Sequence, residues 1–270
     1  MQELFTIPFS GGTFVCREPQ SSDVKNVYLL TFTSQPDNRL TPAFIDAFLL
    51  SLDIIQHRYP PGVVITTSGI PKFYSNGLDL EQALNTEGFF EKYLYKLYRR
   101  LLTYPYPTIA LINGHAFAGG FMLAMFHDYR VQNPQRGFLC LNEVFLGVPL
   151  RQPMVTVYLD KIPSPVVRRE LMVEGKRVAA KEALEAGIVD AVGGLDEALA
   201  LARQKQLDKL ARSPAYAPLK EGVYRRTLEV LDDPTKGDKF MMEADEKREV
   251  IEKEGAENVR RWEQSKPAKL

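Results

Sequence analysis

Two glycine-centred junctions in the chain have the residue types and spacing to present backbone N–H groups to a negative oxygen. The first is "INGHAFAGGFMLAMFHDYR", residues 112–130, where Gly119 and Gly120 stand just where an apolar helix should begin after the strand "TIALI". A helix start leaves backbone N–H groups without intrahelical partners, and glycine lets a foreign polar atom approach them closely. The helix dipole adds partial positive charge at the same place. Taken alone, the glycine pair also fits a tight strand-to-helix turn packed against neighbours, which is the commoner use. The second junction is "KFYSNGLDL", residues 72–80, which follows the strand "GVVITTSG" and is built around Gly77. Asp79, three residues before Gln82, has the spacing of a helix N-cap, so its carboxylate has a structural use. The N–H of Leu78 is left to face outward. Two strand-end loops that each offer one N–H make an oxyanion hole.

The elements that must hold these loops alternate along the first two thirds of the chain. "LFTIPF", "TFVCRE" and "NVYLLTFT" have strand character, the last as a nearly continuous apolar run suited to a buried strand. "LTPAFIDAFLLSLDIIQHRY" has a helix start signal, Thr41 before Pro42, with Phe44, Phe48, Leu52 and Ile55 at helical spacing. The strand "GVVITTSG", the helix "FFEKYLYKLYRRLLTY" and the strand "TIALING" follow, and Phe89, Tyr93, Leu97 and Leu101 form that helix's buried stripe. Strand and helix in alternation predict right-handed crossovers and a mostly parallel sheet. From "GGLDEALALARQKQLDKLARSP" onward the chain is helical and highly charged. The expected organisation is an α/β core over residues 1–195 and a C-terminal helical region over 196–270.

Composition narrows the function classes. In 270 residues, 45% hydrophobic and 25% charged, there is ample material for a core. Lys+Arg and Asp+Glu are equal at 34 each, which argues against nucleic acid or an anionic surface as partner. No apolar run approaches the ~18–20 residues of a membrane span, and the start "MQELFTIPFSGG" lacks a secretory signal's basic end and long apolar core. Cys16 and Cys140 are expected as packed thiols in a reducing compartment. His115 and His127 lack a ligand-like third partner and read as structural, so no metal site is expected.

"FYSNGLDL" and "INGHAFAGGFMLAMFHDYR" resemble the two signature segments of the crotonase (enoyl-CoA hydratase/isomerase) superfamily, and within it the peroxisomal Δ3,Δ2-enoyl-CoA isomerases. The likeness continues through "DNRLT", "FLCLNEVFLGVP" and "RRELMVEGKRVAAKEALEAGIVDAV", in the family's order over about residues 30–195. The resemblance implies an α/β spiral of ββα units with a helical C-terminal region that serves as trimerisation surface and lid. It implies an acyl-CoA thioester substrate, no separate cofactor, and a homotrimer or hexamer. It assigns the oxyanion donors to the N–H groups of Leu78 and Gly119, with Asn76, Gly77, Asp79 and Leu80 beside them at the substrate. Hydratases of the family carry two glutamates; here one of those positions is Met122 and the other is Glu143, expected at the end of a strand. One carboxylate suffices to move a proton from C2 to C4 of a 3-enoyl thioester, whereas adding water is work usually shared by two. Glu143 lies between the apolar runs "GFLCL" and "VFLGV", where a lone carboxylate seldom lacks a reason. Phe121, Met122 and Phe145 are the expected pocket walls. Arg39, Lys72 and Lys96 are open candidates for the coenzyme A phosphates, and Glu91 is assigned to a solvated helix face. The terminal Ala268, Lys269 and Leu270 resemble a peroxisomal matrix address read by an import receptor. Rival readings are another crotonase-fold reaction (a hydratase, dienoyl-CoA isomerase or thioester hydrolase) and an RNA-binding relative, which the neutral charge disfavours.

Overall fold

A computed structural model of the chain describes residues 1–19 and 24–265; Ala268, Lys269 and Leu270, which resemble a peroxisomal address, lie outside the described residues. The strands are β1 (Gln2–Phe9), β2 (Gly12–Glu18), β3 (Val27–Ser34), β4 (Val63–Ser68), β5 (Phe73–Ser75), β6 (Thr108–Ile112), β7 (His115–Phe117), β8 (Tyr129–Gln132), β9 (Leu139–Cys140) and β10 (Ala191–Val192). Seven of them form one sheet in the order β1-β2-β3-β4-β6-β8-β10, and the other three form a small parallel sheet, β5-β7-β9. β1, β2 and β3 pair antiparallel, and β3 onward pair parallel.

Helices α1 (Pro42–Arg58), α2 (Leu80–Asn85), α3 (Tyr95–Leu102), α4 (Gly119–Met125), α5 (Glu143–Leu146) and α6 (Gln152–Lys161) belong to the spiral. Each of its turns runs a strand through the large sheet, a short strand through the small one, and then a helix: β4, β5, α2; β6, β7, α4; β8, β9, α5. This is the expected spiral of ββα units. The remaining helices are α7 (Pro165–Met172), α8 (Ala180–Glu185), α9 (Leu195–Gln204), α10 (Leu207–Leu210), α11 (Tyr216–Val223), α12 (Arg225–Asp232) and the long α13 (Pro234–Gln264).

Helix α1 begins as its sequence dictates, with Pro42 in the first turn and the Thr41 hydroxyl accepting the Phe44 N–H. Its Phe44 and Phe48 pack on Phe14 and Phe32 of the sheet at ring separations of 5.0–6.3 Å. On the opposite face Val63, Ile65, Ile109, Leu111 and Val131 pack with Ala198, Leu201 and Ala202 of α9. Covered on both faces, the parallel strands need apolar residues at every position, which is why they read as continuous runs. Helix α9, the first element after residue 194, thus completes a core with the sheet.

Three sequence expectations are corrected. The helix expected from Phe89 opens as a π-helical turn, Phe90–Leu94, before α3. The strand at "TIALING" does not run directly into the glycine helix, because β7 intervenes. Glu143 is not at a strand end; it is the first residue of α5, separated from β9 by Leu141 and Asn142. Among the described residues no helix is long and apolar enough to cross a membrane.

Candidate active site

Parallel strands deliver their C-terminal ends to one side of a sheet, and the loops leaving β5, β7 and β9 meet there. They wall a cavity of about 350 Å³. Leu78, Ala118, Gly119, Met122 and Glu143 line it, and Leu146, Val148 and Met154 extend the apolar surface. Asn76 and Leu80 also line it; Gly77 and Asp79 do not. Asp79 instead caps α2, its carboxylate accepting the Gln82 N–H at 3.1 Å. Gly77 serves by shape. Its φ of +84° is a backbone state open to glycine, and a β-carbon there would stand 2.9 Å from the Gly119 nitrogen.

The two glycines at the start of α4 divide the work. A β-carbon on Gly120 would lie 2.1 Å from the Ser75 carbonyl oxygen, so β5 can approach α4 only because that position is glycine. A β-carbon on Gly119 would meet only Leu78 and Gly77 atoms at 3.4 Å, an ordinary contact. Ala118, between them and β7, has φ 48° and ψ −124°, a state costing a non-glycine residue about 1–3 kcal/mol. It is held by its N–H, which donates to the Cys140 carbonyl at 2.9 Å.

Neither the Leu78 N–H nor the Gly119 N–H donates to an acceptor among the described residues. Both belong to peptides whose carbonyls are themselves hydrogen-bonded. Gly77 O accepts the Leu40 N–H at 2.8 Å, and Ala118 O accepts the Phe121 and Met122 N–H groups, each at 3.0 Å. A peptide bonded at its oxygen is polarised and becomes a better donor at its nitrogen.

Glu143 is 9% exposed, and its Oε2 has no hydrogen-bond partner among the described residues. Burial pushes its carboxyl up to about 7, because a charge there has lost water. Such a group exchanges a proton easily near neutral pH. Tyr98 and Tyr158, wholly buried, feel its charge and are themselves pushed well above the ordinary tyrosine range by burial.

Of the expected walls, Met122 lines the cavity. Phe121 does not; it is buried beneath, edge-on to Tyr158 at 5.3 Å. Phe145 is 74% exposed and faces away, and Leu146, one residue on, takes its place. Of the three basic candidates only Arg39 reaches the cavity; Lys72 lies over the Phe73 ring, and Lys96 is exposed on α3. Arg151 and Phe90 at the rim were not singled out by sequence: the guanidinium sits 4.0 Å from the Phe90 ring centroid. Glu91 is exposed but stands 3.9 Å from Arg151, so its face is not merely solvated.

The other sequence candidates are structural. His127 is buried, bonded to Thr66 Oγ1 and Leu123 O, and lowered to about 3 by burial. His115 is half-buried, accepting the Phe138 N–H on Nδ1. Cys140 is a buried thiol donating to Gly175 O at 3.3 Å, its pKa raised by burial, and Cys16 is likewise buried and free. No group of three or more potential metal ligands occurs among the described residues.

The ββα spiral thus brings the Leu78 and Gly119 amides and the buried Glu143 carboxylate to the lining of one cavity. Residues 23–265 match the family model described as enoyl-CoA hydratase/isomerase, and the chain belongs to that family. Enoyl-CoA delta isomerase 3 of Arabidopsis thaliana is 32% identical over 219 residues, 77% of this chain and 92% of the relative. The peroxisomal enoyl-CoA delta isomerase 2 of the same plant is 31% identical over 221 residues, 76% of this chain and 92% of its own. The human mitochondrial delta3-delta2-enoyl-CoA isomerase shares the fold at a TM-score of 0.70, over 94% of this chain and 99% of that one, with 24% identity.

Proposed function

We propose that the chain is a Δ3,Δ2-enoyl-CoA isomerase, converting 3-cis- or 3-trans-enoyl-CoA to the 2-trans isomer for fatty acid β-oxidation. The observation that carries this reading is a single carboxylate, held near pKa 7, lining the same cavity as two amides that have no acceptor among the described residues. The Leu78 and Gly119 N–H groups receive the thioester oxygen as it gains negative charge, each well-placed donor contributing about 3–4 kcal/mol. Glu143 takes the C2 proton. The electron pair of that C–H bond becomes the C2=C3 bond, and C4 takes the proton back from Glu143 as the old double bond's electrons reach it. Protons and electrons balance within the substrate, so the step calls for no separate cofactor.

The second carboxylate that hydration would use is replaced by Met122, 2% exposed on the cavity wall. Its thioether neither orients nor deprotonates water, and its bulk favours a dry site in which the dienolate is not diverted. The resemblance to peroxisomal isomerases and the terminal Ala268-Lys269-Leu270 support a peroxisomal matrix enzyme bound by an import receptor. The apolar side chains exposed along α13, among them Ile251, Val259 and Trp262, support assembly as a homotrimer or hexamer through the C-terminal region.

The experiment is direct. Purified protein is given 3-cis- and 3-trans-enoyl-CoA, and conjugated thioester absorbance is followed; 2-trans-enoyl-CoA is offered separately and its hydration measured. Isomerisation should be far faster. Comparable hydration would mean that another group supplies the second acid and that Met122 has been misread.

A further inference from the structure

The loop that carries Leu78 does not hold its own shape. Gly77, just before it, has a φ of +84° and no side chain to restrain the peptide that follows. What restrains it is a second strip of chain, Asp37 to Leu40, lying alongside. The Asn76 N–H donates to Asp37 O at 2.9 Å, the Ser75 hydroxyl to Asn38 O at 2.7 Å, and the Leu40 N–H to Gly77 O at 2.8 Å. The last rung holds the carbonyl end of the Gly77–Leu78 peptide, whose nitrogen end is the proposed oxyanion donor.

The next peptide is held by a side chain. Arg39 Nη1 donates to Leu78 O at 2.9 Å. Its Nε lies 3.0 and 3.1 Å from the two Asp37 carboxylate oxygens, and its Nη2 is 3.0 Å from Asp37 Oδ2. The same Oδ2 accepts the Asn76 side-chain amide at 2.6 Å. Asp37 is 7% exposed, which strengthens its hold on the guanidinium. A guanidinium has five N–H donors in one plane. All three of its nitrogens are engaged here, on Asp37 and Leu78 O, in a geometry that fits a brace for the loop better than a contact for a mobile phosphate.

We propose that Arg39, locked by Asp37, is a positioning residue that aims the Leu78 N–H at the thioester oxygen. It clamps the peptide after that N–H while Leu40 clamps the one containing it. This resolves the choice that sequence left open for Arg39 in favour of the oxyanion loop over the coenzyme A phosphates. The inference rests on reading the Leu78 N–H as one of the two thioester donors.

The test uses the full-length protein, wild type, Arg39→Met and Arg39→Lys, with a saturated acyl-CoA labelled with carbon-13 at the thioester carbonyl. Isotope-edited infrared difference spectra report how strongly the bound carbonyl is polarised, with no turnover needed. Wild type should lower the carbonyl stretch relative to free ligand, and Arg39→Met should lose at least half of that lowering. Lysine keeps the charge and the stem but cannot span Asp37 and Leu78 O as a planar fork, so Arg39→Lys should lose it too. That variant answers the question even where the methionine variant folds poorly. In turnover with 3-enoyl-CoA, kcat should fall about 10- to 100-fold with KM changed less than about threefold, as for a misplaced donor. A full carbonyl shift in both variants, with ligand affinity weakened tenfold or more, would make Arg39 a phosphate contact and overturn the proposal. A wild-type protein that binds the ligand without shifting its carbonyl would instead remove the oxyanion hole itself, and the role of Arg39 with it.

Discussion

A β-carbon on Gly77 would stand 2.9 Å from the Gly119 nitrogen and 3.0 Å from the Phe117 carbonyl oxygen. The loops bearing the two proposed donors therefore abut at a point where only a glycine fits. Gly77→Ala adds a methyl group against the Gly119 N–H and strains a φ of +84°. Its kcat with 3-enoyl-CoA should fall about 10²-fold or more, comparable to the loss of one oxyanion donor. Steady-state kinetics beside a thermal melt separate this from unfolding. A variant as active as wild type would show that Gly119 is not a donor.

The glycine pair at α4 gives an opposite ordering for stability. Gly120→Ala drives a methyl group into the Ser75 carbonyl and must displace β5 or α4, costing about 1–3 kcal/mol or more. At ~2–4 °C per kcal/mol the melting temperature should drop by roughly 2–12 °C. Gly119→Ala meets only contacts of 3.4 Å and should melt within about 2 °C of wild type. A larger loss at Gly119 than at Gly120 would contradict this division.

The parts of this site legible in sequence are those fixed by backbone chemistry. Long apolar runs marked β3, β4 and β6, Thr41-Pro42 marked the start of α1, and Asp79 marked the start of α2. Leu78, Gly119 and Glu143, named from the family resemblance, line one cavity. The small sheet was not legible, because strands of two or three residues carry no alternation to detect. Without it β5 and β7 read as loop, and Glu143 was placed at a strand end. The facing of Phe145 and Leu146 was likewise hidden, since the four residues of α5 are too few for a helical period. Arg151 carries no motif. It lines the cavity beside Phe90, some sixty residues away in the chain.

The pH dependence follows from Glu143. It must be ionised to accept a proton, so kcat/KM should rise with pH through about 7 and level off above it. Around it, burial holds Tyr98 and Tyr158 well above the ordinary range and raises Cys140, so none of them competes near neutrality. Stability runs the other way. A carboxyl raised in the folded state favours folding below its ordinary value near 4.5, and that contribution is lost as pH rises through about 7. Glu143→Gln should therefore match wild type in unfolding free energy, from denaturant titration, at pH 4 and exceed it above pH 7 by up to about 3 kcal/mol. An activity limb near pH 4.5 would mean the carboxylate is solvated in the working enzyme.

Deleting Ala268, Lys269 and Leu270 should leave the purified enzyme's turnover unchanged while a fluorescently tagged copy stays in the cytosol. The cells used must lack the full-length chain, which could carry the truncated one in as a mixed oligomer. Peroxisomal import of the truncated protein under those conditions would exclude the terminal tripeptide as its address.

The central claim is that one carboxylate moves the proton, and Glu143→Gln assayed with 3-enoyl-CoA in deuterated water tests it most directly. The substitution keeps the side chain's shape but removes the base. Glu185→Gln is a better control than Glu91→Gln, since Glu185 is exposed on α8 and Glu91 stands beside Arg151 at the cavity rim. The variant should lose about 10²–10⁴ in kcat with KM little changed, and should not exchange the substrate's C2 hydrogen for deuterium. Wild type and the control should do both the isomerisation and the exchange. Near wild-type turnover by a correctly folded Glu143→Gln would contradict the account and require a different base.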